Sequence, residues 1–280
     1  MSAVARILAI VAISSLGGCA ATPKDEGNPL AKIRTLGVVS AVGDTFRMSE
    51  IGPTVFQNRI SDHAIPDWNV DDEATTIARR ALEARDAYKA VAIPTGRQAE
   101  VNAALRPTFT GAVDSDAIGS ILKAAQPQPA VDAFIVLAKA RGREPCQPQS
   151  SILVEGVGIC AGPRVQMSSV IPGEEHRDIV GPHGNRMLAP FASYRMVLLR
   201  ASDFAVLAAH NAVLTRPERS ALDFLKAKPS VPFKQIHSDA YKESFDKFTP
   251  EERRAIRKAI GELLEASIPQ TLRSMALISD

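Results

Sequence analysis

Thiols, imidazoles and clustered carboxylates are the groups with which this chain could do chemistry, and they are few: three Cys and five His in 280 residues. Cys146 sits in the loop Glu144-Pro145-Cys146-Gln147-Pro148, and Cys160 ends the apolar stretch Ile152-Leu153-Val154-Glu155-Gly156-Val157-Gly158-Ile159. In an oxidising compartment the two are candidates for a disulfide. Closing a loop of about 15 residues is worth roughly 3 kcal/mol in the chain-entropy account. The alternative is one buried and one exposed free thiol. Neither has the Cys-x-x-Cys spacing that tunes a reactive thiolate. Glu174-Glu175-His176 with His183 offers carboxylate and imidazole ligands. They lie in a polar loop over residues 173–185 with no regular element to fix ligand geometry, so no metal is expected there.

Two glycine patterns fail on context. Gly156-Val157-Gly158-Ile159-Cys160-Ala161 spells a dinucleotide fingerprint, but that loop needs a helix N-terminus behind it to hold a pyrophosphate, and Gly162-Pro163 follows instead. The stretch from Gly37 to Gly43 is one residue too long for a phosphate loop and ends in Asp44-Thr45, where Lys-Ser or Lys-Thr would be needed. No Gly-x-Ser-x-Gly elbow is present. Asp71-Asp72-Glu73 reads as favourable negative charge in a first helical turn. No catalytic residue, metal or cofactor is assigned from these patterns.

Cys19 carries the most specific signal. Arg6 precedes the apolar run Ile7-Leu8-Ala9-Ile10-Val11-Ala12-Ile13-Ser14-Ser15-Leu16, which is short for a bilayer span and reads as a secretory signal over residues 1–18. Its end, Leu16-Gly17-Gly18-Cys19, resembles the bacterial lipobox, in which a peptidase cuts before a cysteine already carrying a diacylglyceryl group. The resemblance implies a mature chain starting at Cys19 and joined to the membrane by lipid on that residue. Several acyl chains anchor stably, where one holds weakly at about 0.8 kcal/mol per buried CH₂. Ala20, rather than Asp, follows Cys19; by similarity to the enterobacterial sorting rule this favours the outer membrane, facing the periplasm. Residues 19–32 then read as a tether, since Ala21-Thr22-Pro23-Lys24-Asp25-Glu26-Gly27-Asn28-Pro29 is polar and lacks an apolar period. About 12 flexible residues reach roughly 20 Å.

The remaining residues 33–280 are expected to form a single α/β domain. Its composition, 45% hydrophobic and 23% charged, is that of a soluble body. The net charge of +2, or +1 once Arg6 leaves with the signal, gives no argument for nucleic acid. The pattern predicts strands near 33–42, 54–60, 88–93 and 133–137, and helices near 70–86, 97–105 and 115–125, with Asn69 placed to cap the first of these. Strand–helix–strand–helix–strand order implies a parallel core. Strand-like segments near 152–160, 164–171, 192–200 and 204–213 follow, with Ala201-Ser202-Asp203 the clearest turn between antiparallel partners. Thr249-Pro250-Glu251-Glu252 spells a capping box with Pro at the first helical position. Ile256, Ile260, Leu263, Leu264 and Ser267 then share one helix side, with Arg253, Arg254, Arg257 and Lys258 largely on the other, and Pro269 is expected to kink or restart the helix. The predicted class is therefore α/β: a mixed sheet, parallel in its first half and hairpin-built in its second, with helices packed on it including a C-terminal one.

The lipobox, the early strand ending in Gly43-Asp44, the strand–helix–strand body and the late hairpin before the Thr-Pro-Glu-Glu helix resemble uncharacterised proteobacterial envelope lipoproteins. More remotely, the layout is similar to the α/β domains of curli-secretion lipoproteins and penicillin-binding-protein activators. The resemblance implies a non-catalytic body that binds an envelope protein, and Cys19 is the one functional residue it carries over. Two other expectations remain beside it: an anchored hydrolase built on Glu175, His176 and His183, and a carrier of a small apolar ligand between sheet and helices.

Overall fold

Strands β1 (Thr35–Ala41) and β5 (Ala133–Lys139) are apolar and buried along almost their whole length. A strand with no solvent face belongs between two helical layers. The computed structural model describes residues 29–52, 55–84, 88–106, 113–125, 130–143, 153–163, 186–213, 242 and 244–279. Residues Ile33–Asp280 form one compact unit, and the short 3-10 turn Pro29–Lys32 belongs to a separate one, Met1–Lys32.

The described strands of the larger unit, in chain order, continue with β2 (Thr45–Glu50), β3 (Arg59–Ala64) and β4 (Lys89–Ala92). After β5 come β6 (Arg141–Arg143), β7 (Leu153–Pro163), β8 (Arg186–Arg200) and β9 (Val206–Val213). The helices are α1 (Val70–Glu83), α2 (Gln98–Leu105), α3 (Ser115–Ala124) and α4 (Pro250–Ser274). β1 pairs in parallel with both β4 and β5, so the expected parallel core is present. β5 and β7 each pair antiparallel with β8, and β9 folds back on β8 through the turn after Arg200, as the hairpin reading expects.

Register fixes how the two halves join. Ser193 of β8 pairs with Gly156 of β7 and with Val213 of β9, which must occupy opposite edges. Along residues 194–199 β9 also lies opposite β5. β7 therefore takes up the edge of β8 that β5 leaves. In the neighbouring lane β1 runs into β2, which pairs in parallel with β7. Two bent lanes, β1–β2 and β5–β7, thus run side by side along one long strand. Between β5 and β7 the chain makes an excursion in which β6 pairs with residues 153–155. It rejoins the sheet at Gly156, whose φ of +72° suits glycine.

Alternation along the strands assigns the faces. Val39, Ala41, Phe134, Val136, Ala138, Val197 and Leu199 form one core cluster with Val101, Leu105, Ile118 and Leu122 of α2 and α3. The intervening residues point to the opposite layer, where α1 packs on β1 and β4 and α4 packs on α1 and β8. There Tyr194 Oη donates to Ser267 Oγ at 3.0 Å, tying β8 to the middle of α4. The α4 capping box forms as its sequence predicts, Thr249 Oγ1 accepting from Glu252 N and the Glu252 carboxylate from Thr249 N.

Four local expectations change. The strand expected at 54–60 is a 3-10 turn, Val55–Gln57, followed by β3, while β2 fell between the predicted elements. Asn69 caps α1 through its left-handed backbone, φ 50°, and makes no side-chain cap bond. α4 is continuous through Pro269, flanked by buried Ile268 and Leu272, so the helix is not restarted there. Arg253 and Arg257 do not simply face solvent. Arg253 stacks over the Phe245 ring at 4.6 Å, and Arg257 Nε donates to Trp68 O at 2.8 Å. These contacts seat α4 on an aromatic group of Phe46, Trp68, Phe245 and Phe248. The strand expected at 164–171 lies outside the described residues.

Gly158 permits the close lane contact between β2 and β7, because a Cβ there would stand 2.0 Å from the Arg47 carbonyl oxygen and 2.6 Å from Phe191 Cζ. Gly158→Ala is expected to cost about 3 kcal/mol by overpacking. Urea unfolding checks it: a fall in midpoint at constant slope is expected, and an unchanged midpoint contradicts the lane packing.

Candidate functional site

In open α/β sheets ligands gather outside the carboxyl ends of parallel strands. Here those ends are Ala41 of β1 and Lys139 of β5, and a polar junction surrounds them. Asp71, in the first turn of α1, is half-buried; its Oδ1 accepts from Ser40 Oγ at 2.7 Å, Val42 N at 2.7 Å and Gly43 N at 3.1 Å. One carboxylate oxygen thus holds the bend between β1 and β2. Burial pushes the Asp71 carboxyl above the usual carboxylate range, more than these donors pull it down, and the Asp44 charge adds to the rise.

Asn102 of α2 bridges the same two strand ends. Its Nδ2 donates to Ala41 O at 2.7 Å, and its Oδ1 accepts from Lys139 N at 2.8 Å. Lys139 Nζ pairs with Asp44 and donates to Thr45 Oγ1 at 2.5 Å. The opposite ends of β1 and β5 are tied by Asp132, whose Oδ2 accepts from Arg34 N and Thr35 N. Asp44 neutralises Lys139, Asp71 is engaged by three donors, and Asn102 uses both halves of its amide.

A second polar group surrounds the β6 excursion. Arg47 makes a bidentate pair with Asp62, Nε to Oδ1 and Nη2 to Oδ2 both at 2.7 Å, which holds the Asp62 carboxyl below the usual range and raises the Arg47 guanidinium. Glu155, half-buried, is shared at longer range by Arg47 at 3.4 Å, Arg106 at 3.5 Å and Arg141 at 3.7 Å. Composition gave no hint of this group, because its members come from five separate segments.

Edge strand β3 carries a hydroxyl–imidazole contact, Ser61 Oγ to His63 Nε2 at 3.0 Å, with the His63 ring stacked on Phe245. Ser61 is exposed and the ring rests on an aromatic, an arrangement suited to packing the β2–β3 hairpin against the approach to α4.

Cys160 is fully buried on β7, between Ser49 of β2 and Ala189 of β8, and is disulfide-bonded. Cys146 and Cys19 lie outside the described residues, as do Glu174, Glu175, His176 and His183. Among the described residues no group of three or more His, Cys, Asp or Glu could hold a metal, and no helix is long and apolar enough to cross a membrane. The fingerprint-like run from Gly156 to Ala161 is strand in mid-sheet. Asp71 stands in the first turn of α1 as read from sequence and also accepts the hydrogen bonds of the bend, a role that sequence reasoning missed.

A scan of protein-family models and a search of curated proteins returned no match to this chain. Among solved structures the chain is similar to the Xanthomonas campestris protein XCC0632, described under the family model DUF330. The identity is 12%, with 86% of this chain and 81% of that chain covered and a TM-score of 0.33.

The Asp71 carboxyl titrates higher folded than unfolded, so its contribution to stability is fully present below about pH 4 and is lost as pH rises through the folded value. Asp71→Asn, which keeps the accepting oxygen without the charge, is expected to flatten that part of the stability–pH curve and cost less than about 1 kcal/mol at pH 7. Asp71→Ala orphans the Val42 and Gly43 amides and is expected to cost about 3 kcal/mol. Equal losses in the two variants, measured by urea unfolding across pH, would contradict the bend-clamp role.

Proposed function

We propose that the chain is a lipid-anchored bacterial envelope lipoprotein whose α/β body, residues 33–280, faces the periplasm and binds another envelope protein without catalysing a reaction. The observation that carries the reading is Leu16-Gly17-Gly18-Cys19 directly behind a short apolar run. The anchor is lipid on Cys19, and Ala20 after it favours the outer membrane. The polar junction supports a binding role over a catalytic one. Among the described residues Lys139 pairs with Asp44, Asp71 Oδ1 accepts from Ser40, Val42 and Gly43, and Asn102 bridges Ala41 and Lys139, so these side chains serve the fold, whereas a general acid or base needs a proton-transfer atom free to meet substrate.

The test compares the natural chain with Cys19→Ser in a Gram-negative host, by intact mass and membrane fractionation. The reading predicts loss of residues 1–18, added acyl mass and membrane association in the natural chain, with release of the variant. A soluble, unlipidated mature chain would overturn it.

The partner of Cys160 in this reading is Cys146. Lipidation consumes the Cys19 sulfur, and Cys146 is the one cysteine left to pair with the disulfide-bonded Cys160. Non-reducing peptide mapping of periplasmically expressed protein is expected to give a single cross-linked peptide joining the two segments. Alkylation of Cys146 without prior reduction would contradict the pairing.

A further inference from the structure

Strand β9 is held by β8 on one side, and among the described residues no strand pairs with its other side. Native sheets blunt such edges with charge, Pro, bulges or short strands. The other edges here are guarded in that way. β3 carries Arg59, Asp62 and His63, β4 is four residues led by Lys89, and β6 is three residues with two arginines. β9 is eight residues long, Val206–Val213, and contains no Asp, Glu, Lys, Arg or Pro. Its register shift, at Leu198/Leu199, lies beside the turn and leaves residues 208–213 regular. Ala209, His210 and Asn211 are exposed, and β6 approaches β9 but pairs with β7.

The hydrogen bonds of β8 fix which way the β9 main chain points. In a strand the N–H and C=O of one residue leave one side, and those of the next residue leave the other. Ala140 N donates to Ser193 O at 3.2 Å and Ala201 N donates to Asp132 O at 3.0 Å, so odd-numbered residues along this part of β8 face β5. Arg200 N donates to Ala205 O at 2.9 Å on the opposite side. Tyr194, Met196 and Leu198 therefore bond to their register partners Ala212, His210 and Ala208. Ala209 and Asn211 alternate with these and turn their N–H and C=O groups outward. Two outward donor–acceptor pairs about 6.8 Å apart are a template for one more strand.

We propose that an extended, uncharged segment of the partner envelope protein adds to β9 as a further strand, bonded to the main chain of Ala209 and Asn211. The proposal rests on the binding role given above and supplies its mode. Charge and area select this occupant. A charge-free edge offers nothing to a charged surface, while the small side chains of Ala208, Ala209 and Ala212 leave room on both faces for apolar groups of an incoming strand. The edge is about 27 Å long and about 10 Å deep, roughly 270 Å², against about 800 Å² per partner in a stable complex of folded bodies. A second copy docking by its own edge falls short of that area. A flexible segment makes the same ladder and also lays side chains over both sheet faces.

The experiment uses the full chain carrying Cys19→Ser, so it is independent of lipidation, which the fractionation test reads separately. Linear peptides from a displayed random library are selected on this chain, and amide hydrogen exchange is compared with and without them. In the free chain His210 and Ala212 are expected to exchange slowly, and Ala209 and Asn211 fast. Enriched peptides are expected to be uncharged with alternate apolar residues, and at saturation to slow Ala209 and Asn211 about tenfold or more. Ala209→Pro removes one outward N–H and spares the β8 ladder, so it is expected to weaken peptide binding about tenfold. Ala209→Lys, which keeps the N–H and adds a guarding charge on an exposed position, is expected to weaken it as well. Slow exchange of Ala209 and Asn211 in the free monomer, a selection that enriches no peptide acting on these amides, or undiminished binding by both variants would overturn the inference. A parent dimer that Ala209→Lys dissociates would overturn the occupant in favour of a second copy.

Discussion

A single carboxylate oxygen, Asp71 Oδ1, determines how the sheet is assembled. At Val42 to Asp44 the first strand leaves the company of β4 and β5 and enters that of β3 and β7. A chain making that change in three residues exposes amides that no ladder satisfies, and buried amides without partners are expensive. Asp71 accepts from two of them and from the Ser40 hydroxyl. The acceptor is well placed because α1 begins beside the bend, where Gly43 is so close to Val70 that an added Cβ would lie 2.5 Å from the Val70 Cβ. Helix position, strand bend and hydrogen-bond satisfaction are one arrangement. Asn102 does the corresponding work from the other face, joining the ends of β1 and β5.

Much of this was legible in the residue order, and for identifiable reasons. β1, β5 and the helices α1, α2 and α3 have strong apolar periods and clear breakers, and their bounds agree with expectation within a few residues. The α4 start was readable because Thr249, Pro250 and Glu252 satisfy local backbone groups whatever the tertiary context. β2 was not readable, since Thr45-Phe46-Arg47-Met48-Ser49-Glu50 is a short alternating strand whose polar side is explained only by Asp62 and Glu155, distant in sequence. The role of Asp71 was hidden for the same reason: a first-turn acid looks alike whether it faces water or a buried bend. Nor does Arg195 within an apolar strand announce that its Nη1 finds no hydrogen-bond partner among the described residues.

The chemistry available to the fold follows from these pairings. Among the described residues, the polar side chains at the carboxyl ends of β1 and β5 hold the bend and join the two strands. At the β6 excursion Arg47, Arg106 and Arg141 share Glu155.

Amide hydrogen exchange at Val42 and Gly43 tests the central claim most directly. If Asp71 makes the bend part of one continuous sheet, these two amides exchange as slowly as those of β1 and β8, through the same cooperative opening. Exchange at the rate of an exposed turn, with β1 and β8 still protected, would contradict the account and show the two halves of the sheet joined by a loose hinge.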